Sequence, residues 1–389
     1  MTGCELPLTS PQLRSLRRAL LSWYDAHRRD LPWRRDRDPY RVWLSEIMLQ
    51  QTRVAAVLDH YARFLHRFPT VQSLAAAREA SVLAAWSGLG YYHRARRMHQ
   101  AAKLIARAGK FPQSADEWSQ LPGIGRYTAA AIASIAFGAA IAVVDGNVER
   151  VLQRLLGSNP TTFSGSKSRT RWKRRNSVRR KETPDPPALA AANPQSREAA
   201  WQRAETLLDR KRPGDFNQAM MELGATICTP RAPKCLLCPL NSFCHSRGAP
   251  PPLACAGRKR KELHYALARN HRSVLLVRRP TDASLMAGMW ELPALAGDAI
   301  NGHAPLLRLR HAITDTDYRV AVFALMADQL QNIATDARWF TPSQYERLPL
   351  TGLARKILRR MGQSRVSADE SNGESRPLRL RSEQASGLR

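Results

Sequence analysis

The stretch Leu121-Pro122-Gly123-Ile124-Gly125, followed by the alanine-rich run 126–137, predicts the fold of the first half of this chain. Two glycines separated by one residue allow a tight hairpin and a close backbone approach. A helix is expected to begin near Arg126, so that its unpaired backbone N–H groups point into the same hollow. Such a helix-hairpin-helix can bind a DNA phosphate without reading the base sequence. A simple Pro-Gly turn is the alternative interpretation.

The composition of the chain favours a polyanionic partner. Its 389 residues carry a formal net charge of +29, and 43% of them are hydrophobic. A chain of this length can form two or three domains with cores of their own. The excess of lysine and arginine favours nucleic acid as the partner. The alternative is that basic segments outside the folded domains inflate the charge.

The sequence predicts a cytoplasmic protein. It contains no run of roughly 18 apolar residues, so no membrane span is expected. The first ten residues lack the apolar core of a secretory signal. Cysteines without a secretory signal are typical of a reducing compartment. We therefore expect a monomer in a bacterial cytoplasm, associated with the nucleoid through DNA.

Hydrophobic periodicity divides the chain into a helical part and a mixed part. Apolar residues recur at three- and four-residue steps from Pro11 to about Gly157 and again from Glu198 to Ile227. The lysine- and arginine-rich segment between them predicts a disordered insertion, which either adds DNA affinity or is a solvated loop. Later segments such as 273–277 and 319–327 read as strands, which indicates an α+β domain. The predicted boundaries are 11–157 and 197–247 for the helical core, 158–196 for the basic insertion, 248–262 for a linker, 263–361 for the α+β domain and 362–389 for a disordered basic tail.

Four cysteines lie in one short row with the spacing C-x6-C-x2-C-x5-C. Four thiolates in one loop can surround a single metal centre. Zinc sites with four cysteines mostly combine two C-x2-C pairs, and this row has only one. The four iron corners of a [4Fe–4S] cluster tolerate uneven spacing, which favours the cluster over zinc or disulfides. The candidate ligands are Cys228, Cys235, Cys238 and Cys244.

Two carboxylates stand at positions where they can act in catalysis. Glu46 lies in an otherwise apolar helical segment, where burial would raise its pKa and keep it protonated. A surface position is the alternative for this residue. Asp145 follows the apolar run 141–144 and opens the next helix, so it is either an N-cap or a carboxylate placed near the bound DNA backbone.

Taken together, these motifs resemble the MutY-type adenine DNA glycosylases of the endonuclease III, or helix-hairpin-helix, superfamily. The resemblance extends from about residue 11 to 245, apart from the insertion, and more weakly to about residue 361. It implies an all-α helix-hairpin-helix glycosylase core with a [4Fe–4S] cluster loop, followed by a C-terminal α+β Nudix-like domain. The motifs that carry it are Trp23-Tyr24, Leu31-Pro32-Trp33, Trp43–Thr52, Gly88–Tyr92, Leu121–Gly125, Val144–Val148, Phe216–Met221 and the cysteine row.

The resemblance implies an adenine DNA glycosylase of base excision repair with one [4Fe–4S] cluster. Its substrate would be duplex DNA with adenine opposite 8-oxoguanine or guanine, and the adenine would be flipped out before its glycosidic bond is hydrolysed. Glu46 matches the family's acid, which protonates adenine N7 and later handles the attacking water. Asp145 matches the carboxylate that stabilises the oxocarbenium-like sugar. Tyr127 and Asn147 match supporting positions of the active site.

Further residues are expected to contact DNA. Polar side chains after the Glu46 helix can pair with base edges, and the aromatics on the glycine-rich turn either wedge or stack in opened DNA or fill a gap in the core. Basic side chains between the first two cysteines are expected to face phosphate. The residues are Gln51, Thr52, Leu89 and Tyr91 around the opposite base, Leu121, Gly123 and Gly125 in the hairpin, and Arg231 and Lys234 in the cluster loop.

Position 127 distinguishes between related enzymes. Endonuclease III-like enzymes have a lysine there, which attacks the sugar as a Schiff-base nucleophile. This chain has Tyr127, and the neighbouring Arg126 is a weak nucleophile. We therefore predict a monofunctional glycosylase without strong strand-cutting activity. The alternatives are an endonuclease III-like glycosylase/lyase on oxidised pyrimidines and a non-catalytic iron–sulfur DNA-binding protein.

The C-terminal domain resembles the Nudix-like module of the same family through Gly288–Pro293. A working Nudix hydrolase needs a helix dense in glutamate to bind magnesium, and the residues after Leu295 do not supply one. The module is therefore expected to recognise 8-oxoguanine. Where the family has a Phe-Ser-His loop, this chain reads Ile313-Thr314-Asp315, so that Thr314 keeps a hydroxyl for DNA contact.

Overall fold

The computed structural model of the chain describes residues 8–157, 194–247, 259–283, 286–295, 304–313, 316–326, 329 and 336–371. The chain divides into two compact units, Met1–Ala76 with Arg97–Cys255 and Ala77–Arg96 with Ala256–Arg389. Of the described helices, none combines the length and apolarity that crossing a bilayer requires. The helices are α1 (Ser10–His27), α2 (Pro39–Leu49), α3 (Val54–Arg67), α4 (Val71–Ala76), α5 (Glu79–Trp86), α6 (Tyr92–Ala108), α7 (Ala115–Ser119), α8 (Arg126–Phe137), α9 (Gly146–Leu156), α10 (Pro194–Leu207), α11 (Pro213–Thr226), α12 (Pro342–Tyr345) and α13 (Gly352–Ser371). The strands are β1 (Lys259–Leu267), β2 (Arg269–Asn270), β3 (Ser273–Arg278), β4 (Trp290–Glu291), β5 (Leu307–Ile313), β6 (Thr316–Ala324) and β7 (Ala337–Phe340).

The first unit is built from helices, as the periodicity predicts. α1 illustrates the local causes, since Thr9 and Gln12 form a capping box at its start. Its buried residues Leu16, Leu20 and Tyr24 recur at four-residue steps and form one apolar face. The helix therefore starts at a defined residue and buries one side in the core.

α8 lies at the centre of this unit and packs against α2, α7 and α11. Its residues 128–135 are all buried, and half of them are alanine, which lets the neighbouring helices approach closely. Trp43 of α2 and Trp118 of α7 meet with their ring centroids 5.8 Å apart. Both tryptophans are fully buried and fill the space beside the small residues of α8.

Several helix boundaries differ from the predicted ones. The continuous helical pattern of residues 40–68 is interrupted after Leu49, where Gln51 adopts a left-handed conformation with φ of 54°. α7 is too short to show a period, but Ser114 and Glu117 form a capping box at its start. α10 begins at Pro194, inside the predicted insertion, because proline suits the first turn of a helix. The predicted insertion otherwise lies outside the described residues.

The second unit contains two sheets, which confirms the predicted α+β texture. β1 pairs with β6 in parallel, and β5 pairs with β6 antiparallel. In the other sheet β3 pairs antiparallel with β2, β4 and β7. The predicted strands at 273–277 and 319–327 correspond to β3 and β6. Apolar residues of both sheets pack with α13 in one core, including Leu276, Val322 and Ile357, which are fully buried.

Two segments at the edges of this unit have more regular structure than the sequence predicts. β1 begins at Lys259, inside the predicted linker 248–262, because backbone pairing with β6 from Lys259↔Thr316 onward does not depend on the basic side chains. α13 continues to Ser371, beyond the predicted boundary at residue 361. Gly362 lowers helix stability there without breaking the helix as a proline would.

A buried carboxylate ties α11 to the segment between α1 and α2. The Glu222 side chain is 1% exposed and accepts hydrogen bonds from Arg29 Nε at 2.6 Å and Arg34 Nη2 at 2.8 Å. Two guanidinium groups compensate the cost of burying this charge. These two ion pairs fix the end of α11 against the residues that precede α2.

Replacing Glu222 by alanine is expected to lower the Tm of the protein. Removing one partner of a buried ion pair costs about 3–5 kcal/mol, which corresponds to about 10 °C for a unit of this size. Thermal unfolding followed by circular dichroism measures the change. Asp30→Ala is the control, because its pair with Arg35 is exposed at both side chains. Equal Tm values for the two variants would contradict a stabilising role of Glu222.

Candidate active site and cluster loop

Glu46 is a buried carboxyl group in the middle of α2, with 7% of its surface exposed. The Tyr127 hydroxyl, from the first turn of α8, donates a hydrogen bond to Glu46 Oε2 at 2.9 Å. The same hydroxyl lies 3.2 Å from Met221 Sδ of α11. Three helices thus meet at this carboxyl group, and the predicted alternative of a surface position is wrong.

The surroundings of Glu46 favour its protonated form. Burial raises its pKa from the ordinary value of 4.5 to about 7, and the negative charge of Asp145 adds to this effect. The Tyr127 hydrogen bond and the positive charge of Arg34 act in the opposite direction but do not cancel it. Burial also raises the pKa of Tyr127 well above its ordinary value, so the phenol stays protonated and remains a donor. The site therefore holds an acid that can give up a proton near neutral pH.

Asp145 is the N-cap of α9, so the helix-capping interpretation of this residue is confirmed. Its Oδ1 accepts from the backbone N–H of Asn147 at 2.9 Å and of Val148 at 2.7 Å. Its Oδ2 accepts from Asn147 Nδ2 at 2.9 Å. These three donors orient the carboxylate, and its charge acts on both Glu46 and Tyr127. The cap thus holds a carboxylate in a defined direction beside the buried acid.

Asn147 and Arg150, both on α9, connect Asp145 with the cysteine row through hydrogen bonds. Arg150 Nη2 donates to Asn147 Oδ1 at 2.9 Å, and Arg150 Nε donates to the Cys228 carbonyl at 2.9 Å. Gly224 of α11 permits this packing, because a Cβ atom there would lie 2.7 Å from Asn147 Cβ. A continuous series of hydrogen bonds therefore joins the Asp145 carboxylate to the backbone of the first cysteine.

The four cysteines line one open hollow together with Arg154 of α9. None of these four thiols is in a disulfide. Arg154 Nη1 lies 3.3 Å from Cys228 Sγ and donates to the Thr229 carbonyl at 2.8 Å, while its Nη2 donates to the Pro230 carbonyl at 2.9 Å. Two arginines of α9, Arg150 and Arg154, therefore hold the loop by donating hydrogen bonds to its backbone carbonyls.

The four thiols that line this hollow suit an iron–sulfur cluster. Zinc needs its sulfur ligands about 2.3 Å from a single point. A [4Fe–4S] cluster binds each thiolate at a separate iron corner, so its ligands stand farther apart. The N–H groups of Arg154 next to Cys228 suit the negative charge of a thiolate-bound cluster.

The predicted phosphate-binding hairpin precedes α8. Gly123 has φ of +80°, which requires glycine, and Gly125 is the N-cap of α8. The Ile124 N–H bonds to the Leu121 carbonyl at 3.2 Å and closes the turn. Gly123 and Gly125 are exposed, so the backbone at the helix start is accessible. The simple-turn alternative does not account for the helix start directly behind the turn.

The remaining predicted DNA contacts occupy different environments. Gln51 is exposed and has a left-handed backbone, and the Thr52 hydroxyl donates to the Gln50 carbonyl at 3.2 Å. In the second unit, Leu89 is buried, whereas Tyr91 is partly exposed with φ of 49°. Arg231 and Lys234 in the cluster loop are exposed. Thr314 lies outside the described residues.

Comparison with known proteins agrees with this geometry. Residues 44–180 match the HhH-GPD superfamily of base excision DNA repair proteins, and residues 228–244 match the iron–sulfur binding domain of endonuclease III. The chain is 32% identical to the adenine DNA glycosylase of Homo sapiens, over 90% of this chain and 74% of the human protein. It is 33% identical to that of Mus musculus, over 89% of this chain and 77% of the mouse protein. The chain belongs to the adenine DNA glycosylase family.

Membership in the adenine DNA glycosylase family confirms several predictions at once. The chain is a DNA glycosylase of base excision repair, its substrate is DNA, and it carries a [4Fe–4S] cluster, which the four cysteines of the row would hold. The helix-hairpin-helix glycosylase core is confirmed as well. Among solved structures, a thermostable thymine-DNA glycosylase is similar at a TM-score of 0.49 and 26% identity, over 60% of this chain and 96% of that one. The Nudix-like identity of the C-terminal sheets stays a prediction.

The structure adds functional neighbours that sequence reasoning missed. Met221 contacts the Tyr127 hydroxyl, and Arg150 connects Asn147 with the cluster loop. The Gln50 amide donates to Thr128 Oγ1 at 3.1 Å and so joins the end of α2 to α8. One signal was available for Arg150, which lies one helical turn after Gly146 and thus on the face of α9 that leads away from the N-cap.

Glu46→Gln is expected to stabilise the protein at alkaline pH. The pKa of Glu46 in the folded chain lies above its value in the unfolded chain, so stability is lost as pH rises from the unfolded value of 4.5 through about 7. Glutamine cannot ionise and avoids this loss, which reaches about 3 kcal/mol. The Tm of Glu46→Gln should rise relative to that of the unchanged protein as pH increases from 4.5 to about 7. Above that range the difference between the two Tm values should stay constant.

The exposed Asp59→Asn change on α3 is the control for this measurement, and it should show no such divergence. A Tm difference between Glu46→Gln and the unchanged protein that stays constant over the whole pH range would contradict the raised pKa.

Proposed function

We propose that this glycosylase removes adenine from duplex DNA when the adenine stands opposite 8-oxoguanine or guanine, by hydrolysis and without cutting the strand. The observation that carries the proposal is the buried Glu46, which accepts a hydrogen bond from Tyr127 beside the charge of Asp145. Two carboxyl groups in different environments suit an acid and a charge-stabilising role on one glycosidic bond. The enzyme acts as a monomer on an adenine flipped out of the duplex.

In the proposed reaction Glu46 donates its proton to N7 of the flipped adenine. The C1′–N9 bond then breaks, its electron pair stays with the base, and the sugar becomes oxocarbenium-like. Asp145 stabilises this cation, either through its charge or through a transient covalent bond. Glu46, now ionised, takes a proton from the attacking water, and the hydroxyl adds to C1′. Tyr127 holds the Glu46 carboxyl in place, and Asn147 does the same for Asp145.

DNA is held at two places by groups that do not read sequence. The hairpin backbone from Leu121 to Gly125 offers the N–H groups at the start of α8 to one phosphate. The exposed Arg231 and Lys234 of the cluster loop face another stretch of the backbone. The cluster contributes by holding this loop, since hydrolysis of a glycosidic bond transfers no electrons.

Base recognition opposite the adenine is assigned to loops around the duplex. Gln51 and Thr52 follow the Glu46 helix, and Leu89 and Tyr91 lie on the glycine-rich turn between α5 and α6. Thr314 of the C-terminal unit supplies a hydroxyl for 8-oxoguanine. The base opposite adenine is thereby contacted by residues that are separate from the acid and the carboxylate.

The first test is excision from duplexes that contain adenine opposite 8-oxoguanine, adenine opposite guanine, or thymine glycol. Glu46→Gln and Asp145→Asn should each lower adenine excision by about 10²-fold or more while duplex binding persists. Glutamine still accepts the Tyr127 hydrogen bond, and asparagine still caps α9, so both variants should fold. Asp30→Asn, on the exposed pair with Arg35, serves as the control.

Near-normal turnover by both active-site variants would refute the assigned roles. Release of thymine glycol alone would replace the proposed substrate with an oxidised pyrimidine.

The second test concerns strand cutting. A Schiff base needs a primary amine at position 127, and the tyrosine hydroxyl cannot form one. After adenine excision the abasic strand should stay intact until alkali is added, and borohydride should trap no covalent complex with the protein. Gel electrophoresis with and without alkali measures this directly. Strand cleavage without alkali, together with a borohydride-trapped complex, would show lyase chemistry from another amine.

A further inference from the structure

The turn between α5 and α6 is anchored to the start of α13 by two hydroxyl groups. Ser87 Oγ donates to the Leu350 carbonyl at 2.8 Å, and the Tyr92 hydroxyl donates to the same carbonyl at 3.0 Å. All of these residues belong to the second unit of the chain, and Ser87, Tyr92 and Leu350 are buried. One backbone carbonyl therefore holds both ends of the Gly88–Tyr92 turn.

Arg355 of α13 adds a third contact to this anchor. Its Nε donates to Ser87 Oγ at 2.9 Å, so the serine hydroxyl accepts from Arg355 while donating to Leu350. This pattern gives the Ser87 hydroxyl a defined direction, because its single proton is already used. The guanidinium group is partly buried, and a hydrogen bond from a charged donor is among the stronger ones.

The anchor itself is rigid because it belongs to the sheet core. The Trp290 N–H bonds to the Pro349 carbonyl and the Thr351 N–H bonds to the Trp290 carbonyl, each at 2.9 Å. Thr351 Oγ1 in turn accepts from the Ala354 N–H at 3.2 Å, in the first turn of α13. The Leu350 carbonyl therefore has a position determined by β4 and by the helix start.

The turn is also ordered by contacts among its own residues and those that flank it. Trp86 Nε1 donates to the Gly90 carbonyl at 3.1 Å. The Arg94 guanidinium lies between two rings, 5.5 Å from the Trp86 centroid and 5.2 Å from the Tyr91 centroid. Tyr91 thus adopts its left-handed conformation beside Arg94, on a turn whose two ends are bonded to the Leu350 carbonyl.

We propose that Arg355 and the Leu350 carbonyl position the Gly88–Tyr92 turn and thereby set the preference for the base opposite adenine. The inference rests on the proposed function, which assigns Leu89 and Tyr91 to the opposite base. It makes Arg355 a positioning residue that acts through Ser87, at a site separate from Glu46 and Asp145. The C-terminal unit then influences base discrimination without a base contact of its own at this position.

The test uses the full-length holoprotein with Arg355→Met, Arg355→Lys, Ser87→Ala and the Arg355→Met/Ser87→Ala double variant. Single-turnover excision is measured on duplexes with 8-oxoguanine and with guanine opposite adenine. A fluorescent base analogue next to the opposite base reports insertion of the turn. Arg359→Met is the matched control, because this exposed arginine lies on the same helix one turn later. Circular dichroism and cluster absorbance verify the fold.

Loss of one such hydrogen bond should lower the ratio of the two excision rates about five-fold, with a matching loss of the fluorescence change on binding. Arg355→Lys should restore most of the ratio, since its ammonium group can still donate to Ser87. The double variant should be no worse than Ser87→Ala, because Ser87→Ala already removes the hydrogen bond through which Arg355 acts. Arg359→Met should keep the ratio of the unchanged protein.

An unchanged ratio in Arg355→Met and Ser87→Ala would overturn the inference, as would equal losses on both duplexes without a change of the ratio. Full additivity in the double variant would likewise exclude action through Ser87. If the unchanged protein excises adenine from neither duplex, the proposed function fails and the inference fails with it. If the unchanged protein is active and the variants keep its ratio of excision rates, only the inference fails.

Discussion

The hydrogen bond between the Tyr127 hydroxyl and the buried Glu46 carboxyl is the interaction on which the first unit depends for its chemistry. It requires that α2, α8 and α11 meet closely, because the tyrosine comes from α8 and its second contact, Met221, from α11. The alanine-rich length of α8 allows this approach. A carboxyl group in such a place is held protonated by the absence of water, while the phenol gives it one fixed donor. The packing of these three helices therefore both buries the Glu46 carboxyl and places its hydrogen-bond donor.

α9 connects the other half of the site to the cofactor. Its N-cap is Asp145, its first turn carries Asn147, and its arginines 150 and 154 donate to the backbone of the cysteine loop. A helix keeps residues along its axis at fixed distances from one another, because its backbone hydrogen bonds make it stiff. Hydrogen bonds from one helix thus connect the Asp145 carboxylate with the cysteine loop. In the proposed reaction the cluster transfers no electrons, and this connection is the contribution it would make.

The second unit orders the glycine-rich turn to which the proposed function assigns contact with the base opposite adenine. The glycine-rich turn has little rigidity of its own, because glycine restricts the backbone least. Its order comes from the buried Leu350 carbonyl, from Arg355 and from the stacked Arg94. Since α5 and the start of α6 belong to the same compact unit as the sheets, an element of the helical sequence is stabilised by the C-terminal fold.

Local signals in the sequence were sufficient for the hairpin, the helical pattern, the cysteine row and the two strands 273–277 and 319–327. These features depend on residues close together in the chain, such as the glycines 123 and 125 or the single C-x2-C pair. Whether Glu46 was buried depended on long-range contacts, since Tyr127 lies 81 positions from Glu46 and Met221 lies 94 positions from Tyr127. The cap at Asp145 is local, but the effect of its charge on Glu46 depended on the tertiary fold. The tertiary structure showed that Asp145 caps α9 and that its charge acts on Glu46. It alone revealed Met221 and the anchor at Leu350, since hydrogen bonds between distant segments produce no periodic or compositional pattern in the sequence.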